Sequence, residues 1–200
     1  MTKILITIIL LLLTACSPEG ADPVEDRPVN HNSVSTLDEA PVEVEVPLAE
    51  ASTPLLDDSA SRVENINIAC GAINETVLEP GGSFSFNGAV GRRTEERGYR
   101  DAPVLVDGHK EQGCGGGVCQ LSSTLYMAAV DAGLTIDEPH AHSEGVAYAP
   151  EGKDATVVYG EKDLCFTNSL SEPVTLYVWT DGASVFSKIT QKILDKNALE

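Results

Sequence analysis

The sequence predicts an α+β domain in which short helices come before a mainly antiparallel sheet, behind a disordered N-terminal tether. Apolar residues recur at helical spacing in two places between residues 61 and 133, and apolar and polar residues alternate in short runs after Gly133. Residues 17–60 are instead rich in Pro, Ser, Asp and Glu, with Arg27 as their basic residue. Such a segment has too little apolar surface to offset the entropy of ordering.

The folded part is predicted to begin near Ser61 with an amphipathic helix, because Val63, Ile66, Cys70 and Ile73 share one helical face. A second helix is predicted after Cys119 and is expected to end at Gly133. The hairpin signal Asp181–Gly182 lies near the C-terminus. Strands are predicted at residues 76–78, 84–86, 102–106, 145–148, 155–159, 164–166, 174–179 and 184–186.

Residues 1–16 are predicted to be a lipoprotein signal peptide. Lys3 provides a positive start, and the apolar run Ile4 to Leu13 is too short to span a bilayer permanently. Small residues then precede Cys16, which is the expected lipidation site. An ordinary signal peptide, or a core helix that ends in cysteine, is the alternative. A lipid anchor predicts a protein held on a membrane in the cell envelope.

The formal charge of −18, from 31 acidic and 13 basic residues, argues against nucleic acid as a partner. It also argues against electrostatic binding to an anionic membrane surface. No motif in the chain implies a cofactor, since the glycine run lacks the Lys-Ser/Thr of a phosphate-binding loop. Residues 17–60 are therefore predicted to be a solvated acidic linker between the anchor and the folded domain.

The stretch Gly113–Tyr126, GCGGGVCQLSSTLY, is the strongest chemical signal in the chain. It places Cys119 in the first turn of a helix, where unpaired N–H groups and the helix dipole favour a thiolate. The preceding glycines, Gly115, Gly116 and Gly117, are expected to leave room beside the sulfur for another molecule. This pattern predicts a reactive cysteine. A buried structural cysteine or a disulfide is the alternative.

The same motif resembles the signature of the VanW-like family, bacterial envelope proteins associated with vancomycin resistance. The likeness continues in PGGSFSFNGAVGRRTEERGY (80–99) and in HSEGVAYAPEGKDATVVYGEKDLCFTN (142–168). A VanW-like domain is therefore expected over residues 61–190. The resemblance implies a cell-envelope setting, with peptidoglycan or another cell-wall peptide as the expected partner.

Two residues are expected to act with Cys119. His142 belongs to the family-like His-Ser pair and is the predicted base, although His140 on the same strand face is a second imidazole. Asp154 is predicted to orient His142 from the following strand. The order Cys, His, Asp is similar in layout to papain-like and transglutaminase-like enzymes. It suggests a hydrolase or transferase that acts on amides, with a non-catalytic binding module as the alternative.

Further residues are predicted to bind the substrate. Gln120 or the N–H groups of the glycine run are expected to receive an oxyanion. Arg93 lies in a basic cluster with Arg92 and Arg97, where arginine suits recognition of a ligand carboxylate. Internal salt bridging is the competing expectation for these arginines.

The remaining cysteines allow other chemistry. A disulfide between Cys70 and Cys165 is the most economical pairing in an exported protein, and a bond between Cys114 and Cys119 is also possible. Cys114, Cys119, His140 and His142 together offer a tetrahedral zinc set, but their spacing within a glycine run is a weak zinc signal. The sequence therefore predicts no metal.

Overall fold

The computed structural model describes residues 42–106 and 109–195, so the predicted signal peptide 1–16 with Cys16, and the linker up to residue 41, lie outside it. None of the helices in the described ranges is both long and apolar enough to cross a membrane. The elements in chain order are β1 (Val42–Pro54), α1 (Ala60–Ile73), β2 (Thr76–Leu78), β3 (Ser83–Ser85), α2 (Phe86–Val90), a 3₁₀ turn (Glu95–Arg97), β4 (Asp101–Val106), β5 (His109–Cys114), α3 (Val118–Asp131), β6 (Thr135–Glu138), β7 (Cys165–Thr167), β8 (Val174–Thr180) and β9 (Ser184–Asp195).

Three small sheets accompany the helices. The largest has the order β1-β9-β8-β2, the second β3-β7-β6, and β4 and β5 form a two-stranded ribbon. All of their pairings are antiparallel. The α+β class predicted from the sequence is therefore confirmed. The papain- or transglutaminase-like part of that expectation stays a prediction.

The core lies between the two long helices and the largest sheet. Helix α1 packs against β8, and helix α3 packs against β1 and β9. On α1 the predicted apolar face is confirmed, since Ile66, Cys70 and Ile73 are buried and Val63 is half-buried. On α3 the residues facing the core include Leu121 and Leu125. This packing fixes the start of α3 relative to the sheet.

Strand β1 corrects the prediction of a disordered linker through residue 60. It pairs with β9 along its whole length, with an irregularity between Pro47 and Ala49. The strand lies at the sheet edge, where proline is tolerated because one side of the backbone needs no partner. Val44 and Val46 are half-buried while Glu43 and Glu45 are exposed. Composition alone missed this strand because its stability comes from a distant partner, as the register Val44↔Ile193, a separation of 149 residues, shows.

The strands predicted at 145–148 and 155–159 are not formed. Apart from one isolated bridge between Val158 and Lys162, these residues are turns or irregular backbone. Their polar backbone groups are satisfied by other means. The N–H of Thr156 donates to the His140 carbonyl at 2.6 Å, and the N–H of Ala155 donates to the Ser123 hydroxyl at 3.0 Å.

The predicted disulfide between Cys70 and Cys165 is also absent, because all four cysteines in the described residues are free thiols. Cys70 points into the core from α1, which packs against β8, whereas Cys165 lies on β7 between β3 and β6. The two residues thus belong to different layers of the domain. Burial raises the pKa of the Cys70 thiol to about 12 and that of Cys165 to about 11.

Candidate active site

The first turn of α3 carries Cys119, one residue after the helix begins at Val118. The preceding Gly117 has φ +105°, a left-handed conformation that favours glycine. A Cβ on Gly116 would lie 2.6 Å from the Ala102 carbonyl oxygen, so this loop packs directly on β4. The glycines are therefore required for backbone packing. The space beside Gly116 is filled by β4, whereas Gly115 and Gly117 line the cleft described below.

Cys119 is half-buried and faces the irregular segment after residue 153. Its Sγ lies 3.7 Å from the Thr156 hydroxyl oxygen, and the S–H can donate to the Val157 carbonyl at 3.5 Å. Hydroxyls one turn further along α3 hold that segment in place. Ser122 donates to the Ala155 carbonyl at 2.6 Å.

His142 and Asp154 form a tight pair beside this thiol. The Nδ1 atom of His142 lies 2.6 Å from Oδ2 of Asp154, and the same oxygen accepts the backbone N–H of His142 at 2.7 Å. Their side chains are only 8% and 9% exposed. Because Nδ1 is occupied, the opposite ring nitrogen is the one left to interact with Cys119. The structure thus brings together the three residues that the sequence proposed as a triad.

The electrostatics of the pair favour a charged thiolate and imidazolium. Burial alone would raise the pKa of Cys119, but the hydrogen bond and the positive charge of His142 outweigh it and lower that pKa. Burial likewise opposes the charged form of His142, yet its interactions with Cys119 and Asp154 raise the His142 pKa. These are the charges that a thiol nucleophile and a proton donor carry in sites of nucleophilic catalysis.

A cleft of about 710 Å³ opens over the thiol. Its size suits a peptide or a small molecule. Around Cys119 and His142 it is lined by Leu56, Asp57, Arg62, Arg92, Arg93, Pro103, Val104, Gly113, Cys114, Gly115, Gly117, Val118, Gln120, Gly145, Val146, Ala147, Tyr148, Thr156, Val157, Val158 and Tyr159.

Gln120 is buried, and its side chain is used inside the protein. Its Nε2 donates to the Thr53 hydroxyl at 3.0 Å and to the Pro54 carbonyl at 2.9 Å, while its Oε1 accepts from Arg62 at 2.9 Å. Both amide hydrogens are thus committed to the end of β1. This corrects the expectation that the Gln120 side chain receives an oxyanion. The first-turn N–H of Cys119, which has no intrahelical acceptor, is the better placed donor.

Arg93 lines the cleft but is largely committed to its own loop. Its Nη1 donates to the Asn87 side-chain oxygen at 2.6 Å and to the Gly91 carbonyl at 3.1 Å, and its guanidinium lies 5.6 Å from the Phe86 ring centre. No ion pair joins Arg93 to a carboxylate in the part of the chain that the structure describes. The internal salt bridging considered for this residue is therefore not found.

The zinc arrangement left open by the sequence is not formed. His140 turns away from the thiol and its Nε2 lies 2.7 Å from Glu138. Across residues 42–106 and 109–195, no group of three or more His, Cys, Asp or Glu side chains is placed to hold a metal ion. Cys114 lines the cleft as a free thiol.

Sequence reasoning missed Tyr148, which it placed on a strand. In the structure Tyr148 lies in a turn, with its ring 6.4 Å from that of His142 and nearly perpendicular to it. Burial raises the pKa of Tyr148, so its hydroxyl stays protonated. The available signal was its position six residues after His142, within the family-like segment.

Comparisons with known proteins place these residues in context. The family model described as VanW like protein matches residues 61–190. The uncharacterized protein YoaR of Bacillus subtilis (strain 168) is 40% identical over 138 residues, which cover 69% of this chain and 46% of that protein. The vancomycin B-type resistance protein VanW of Enterococcus faecalis (strain ATCC 700802 / V583) is 27% identical over 136 residues, covering 64% of this chain and 49% of that protein.

The chain therefore spans about half the length of these curated relatives. No solved structure matches it. The matched range 61–190 contains Cys119, His142 and Asp154 but not β1, which completes the largest sheet.

Proposed function

The chain belongs to the VanW-like protein family, and we propose that it is a cysteine-dependent hydrolase or transferase acting on amide bonds in cell-envelope peptides. One observation carries the proposal. The thiol of Cys119 lies at a helix start and its pKa is lowered by interaction with His142, whose Nδ1 is held by Asp154 at 2.6 Å. A nucleophile, a base and an orienting carboxylate in this order form the working part of many acyl-transfer sites.

The proposed reaction begins with the thiolate of Cys119. It attacks the amide carbonyl carbon, an S–C bond forms, and the π electrons move to the oxygen. As the C–N bond breaks, the imidazolium of His142 gives its proton to the leaving nitrogen, and a thioester remains. Neutral His142 then takes a proton from water or from an acceptor amine, which attacks the thioester and expels the thiolate. The imidazolium and the thiolate are thereby restored.

The developing oxyanion needs donors that are fixed before the reaction. The backbone N–H of Cys119, in the first turn of α3, is the donor that we assign. The dipole of α3 adds positive potential at the same point. Asp154 stays ionised and holds His142 in the tautomer whose free nitrogen faces the sulfur.

A cell-envelope peptide is the proposed substrate for two reasons. The relative from Enterococcus faecalis is named for vancomycin resistance, and the sequence of residues 1–16 has the features of a lipoprotein signal. We place the protein on the outer side of a membrane, anchored through Cys16. We expect the wild-type protein to partition with membranes, and the Cys16→Ala variant to be neither processed nor retained in the same way. Equal partitioning of the two would remove the anchor.

The activity is tested by turnover and by alkylation together. Cys119→Ser should abolish release of amines from purified wall peptides while leaving the fold intact, because serine nearly matches cysteine in size. Iodoacetamide should label wild-type Cys119 faster than a free cysteine at neutral pH. His142→Ala should slow that labelling by about tenfold or more, since a hydrogen bond to a charged group is lost.

The matched control is His140→Ala, which removes an imidazole two residues away that contacts Glu138 instead of the thiol. Cys70 and Cys165 are slow internal references, because burial holds their pKa values near 12 and 11. If Cys119 is alkylated at the rate of a free cysteine, and His142→Ala does not change that rate, the assignment of Cys119 as the nucleophile is wrong. The non-catalytic alternative, a module that holds a wall peptide in the same cleft, then takes its place.

A further inference from the structure

The charge of the cleft is opposite to that of the protein. The whole chain carries −18, yet three arginines, Arg62, Arg92 and Arg93, line the cleft over Cys119. Asp57 supplies the one carboxylate among the described lining residues, and it accepts the N–H of Ser59 at 3.0 Å. A cleft of one sign concentrates ligands of the other sign and raises their rate of encounter.

The three arginines differ in how many of their N–H donors are available to bind a ligand. Arg62 donates to the Pro103 carbonyl at 3.3 Å and to Gln120 at 2.9 Å, and Arg93 is tied to Asn87 and Gly91. These bonds hold the protein together, while Nε of Arg62 and Nη2 of Arg93 are buried and have no hydrogen-bond partner. Each of them still adds positive charge to the cleft, but neither presents an open guanidinium fork.

Arg92 is different because its guanidinium is exposed and has no hydrogen-bond acceptor or ion-pair partner within the described residues. It is nevertheless held in place, since its Cζ lies 5.4 Å from the ring centre of Tyr159. A guanidinium that lies over an aromatic face keeps its N–H donors directed outward, in the plane of the guanidinium group itself. Such a group loses little freedom when it binds a planar carboxylate.

The neighbours of Arg92 also suit a ligand. Tyr159 is 47% exposed and Val158 is 40% exposed, which is high for large apolar side chains, and both line the cleft. Val157, the next residue back along the chain, receives the S–H of Cys119. The segment 157–159 therefore runs from the sulfur to an exposed apolar rim that Arg92 covers.

We propose that Arg92, held over Tyr159 at the rim of the cleft, binds a carboxylate of the substrate, so that the site selects acidic peptides over neutral ones. The proposal rests on the proposed function, because it names the substrate class of the same site. It also moves the carboxylate-binding role from Arg93, which the sequence favoured, to the neighbouring arginine. Arg93 supplies charge and holds the loop that presents Arg92.

Two pairs of thiol reagents test this proposal. Chloroacetyl-alanine and chloroacetyl-alaninamide differ only in a carboxylate, and both alkylate a thiolate by forming an S–C bond and expelling chloride. A second pair, chloroacetyl-glycyl-alanine and its amide, carries that group up to about 3.5 Å further from the sulfur. The measured quantity is the ratio of the two rates within a pair at Cys119, followed by mass mapping of the full chain.

In at least one pair the carboxylate reagent should react about threefold to tenfold faster than its amide, relative to the same ratio at N-acetylcysteine. Arg92→Gln should remove that preference, and Arg92→Lys should keep part of it. Arg92→Gln breaks no side-chain hydrogen bond among the described residues, so the fold should survive. Arg100→Gln is the control, because it removes the same charge from an exposed position outside the cleft lining, and the hydrogen bonds of Arg100 among the described residues use only its backbone.

The ratio separates this proposal from the proposed function. The thiolate fraction of Cys119 affects both reagents of a pair equally and cancels in the ratio. Slow labelling of Cys119 by every reagent would therefore count against the nucleophile, while the ratio would still report on the carboxylate. A ratio equal to that of N-acetylcysteine in both pairs, or one that Arg100→Gln lowers as much as Arg92→Gln, overturns the carboxylate site.

Discussion

One oxygen of Asp154 contacts His142 twice, at 2.6 Å through the ring Nδ1 and at 2.7 Å through the backbone N–H. A single carboxylate thus sets both the position of the backbone at His142 and the orientation of its ring. Both groups are nearly buried, so little water competes for these bonds. The reactivity of Cys119 should depend on this contact, although Asp154 acts on the thiol only through His142.

Asp154→Asn tests that dependence. It keeps the size of the side chain but removes the charge that helps to raise the His142 pKa. Alkylation of Cys119 at neutral pH should fall by about tenfold, as for other charge-assisted bonds. Glu64→Gln is the control, since it removes a charge from an exposed position on α1. Equal rates for the two variants would show that Asp154 is structural only.

The pH dependence of the site should follow the directions of its two pKa shifts. The lowered pKa of Cys119 extends the thiolate to lower pH than in a free cysteine, and alkylation should fall as the pH drops through that lowered value. The raised pKa of His142 keeps the imidazolium present above about 6.5, the usual histidine value. Because turnover needs both charges, it should be bell-shaped between these limits, whereas alkylation should show only the acidic limb.

Measurement of both profiles on one preparation checks this. In Asp154→Asn the basic limb of turnover should move to lower pH, because the imidazolium loses its neighbouring charge. An alkylation profile with its midpoint at about 8.5, the value of a free cysteine, would contradict the ion pair.

Much of the site could be predicted from the sequence because its signals are local. The glycine run and the apolar spacing after Cys119 specify a helix start, and the structure places α3 there. The order of Cys119, His142 and Asp154 then sufficed to group them. Their supports were not predictable in the same way, because Ala155 is held by the hydroxyls of Ser122 and Ser123 on α3 and not by a neighbouring strand.

The role of Gln120 shows why contacts between residues far apart in the chain could not be predicted from the sequence. Its buried amide is explained only by β1, which the acidic composition of residues 17–60 concealed. Edge strands give weak local signals, since their pairing depends on a distant partner. A glutamine beside a candidate nucleophile was therefore assigned to the substrate, although it binds the chain's own N-terminal strand.

Gly116→Ala should destabilise the domain by about 1–3 kcal/mol, as overpacking does. The new Cβ would lie 2.6 Å from the Ala102 carbonyl oxygen and 2.7 Å from that of Pro103, and backbone cannot move as a side chain can. Gly71→Ala is the matched control in α1, where no atom lies within 4 Å of the added Cβ. It should stabilise by about 0.4–1 kcal/mol through reduced freedom of the unfolded chain.

Urea unfolding of the two variants beside the wild type measures both effects. The two variants are expected to change the free energy of unfolding in opposite directions, so the comparison does not depend on the exact size of either change. A neutral Gly116→Ala would mean that the loop before Cys119 moves away from β4 at little cost.

The final prediction concerns the contact of β1 with helix α3, which carries Cys119. The hydroxyls of Thr53 and Thr124 lie 2.8 Å apart, and Gln120 donates to the Thr53 oxygen at 3.0 Å. Because the Thr124 hydroxyl donates to the Gln120 carbonyl at 2.8 Å, the shared proton between the two threonines comes from Thr53. Thr53→Val keeps the shape of the side chain but removes one hydrogen bond from the Thr124 hydroxyl and one from the Gln120 amide, in a buried site.

Thr53→Val should therefore lower the free energy of unfolding by about 1–3 kcal/mol. Thr135→Val, the same change at an exposed strand position, should stay within about 0.5 kcal/mol of the wild type. A chain that begins at residue 42 should unfold cooperatively. One that begins at residue 61, where the family match starts, should be far less stable because it lacks β1 and exposes the edge of β9. Equal stability of these two chains would make β1 an accessory strand, and Gln120 would then be free to face the cleft.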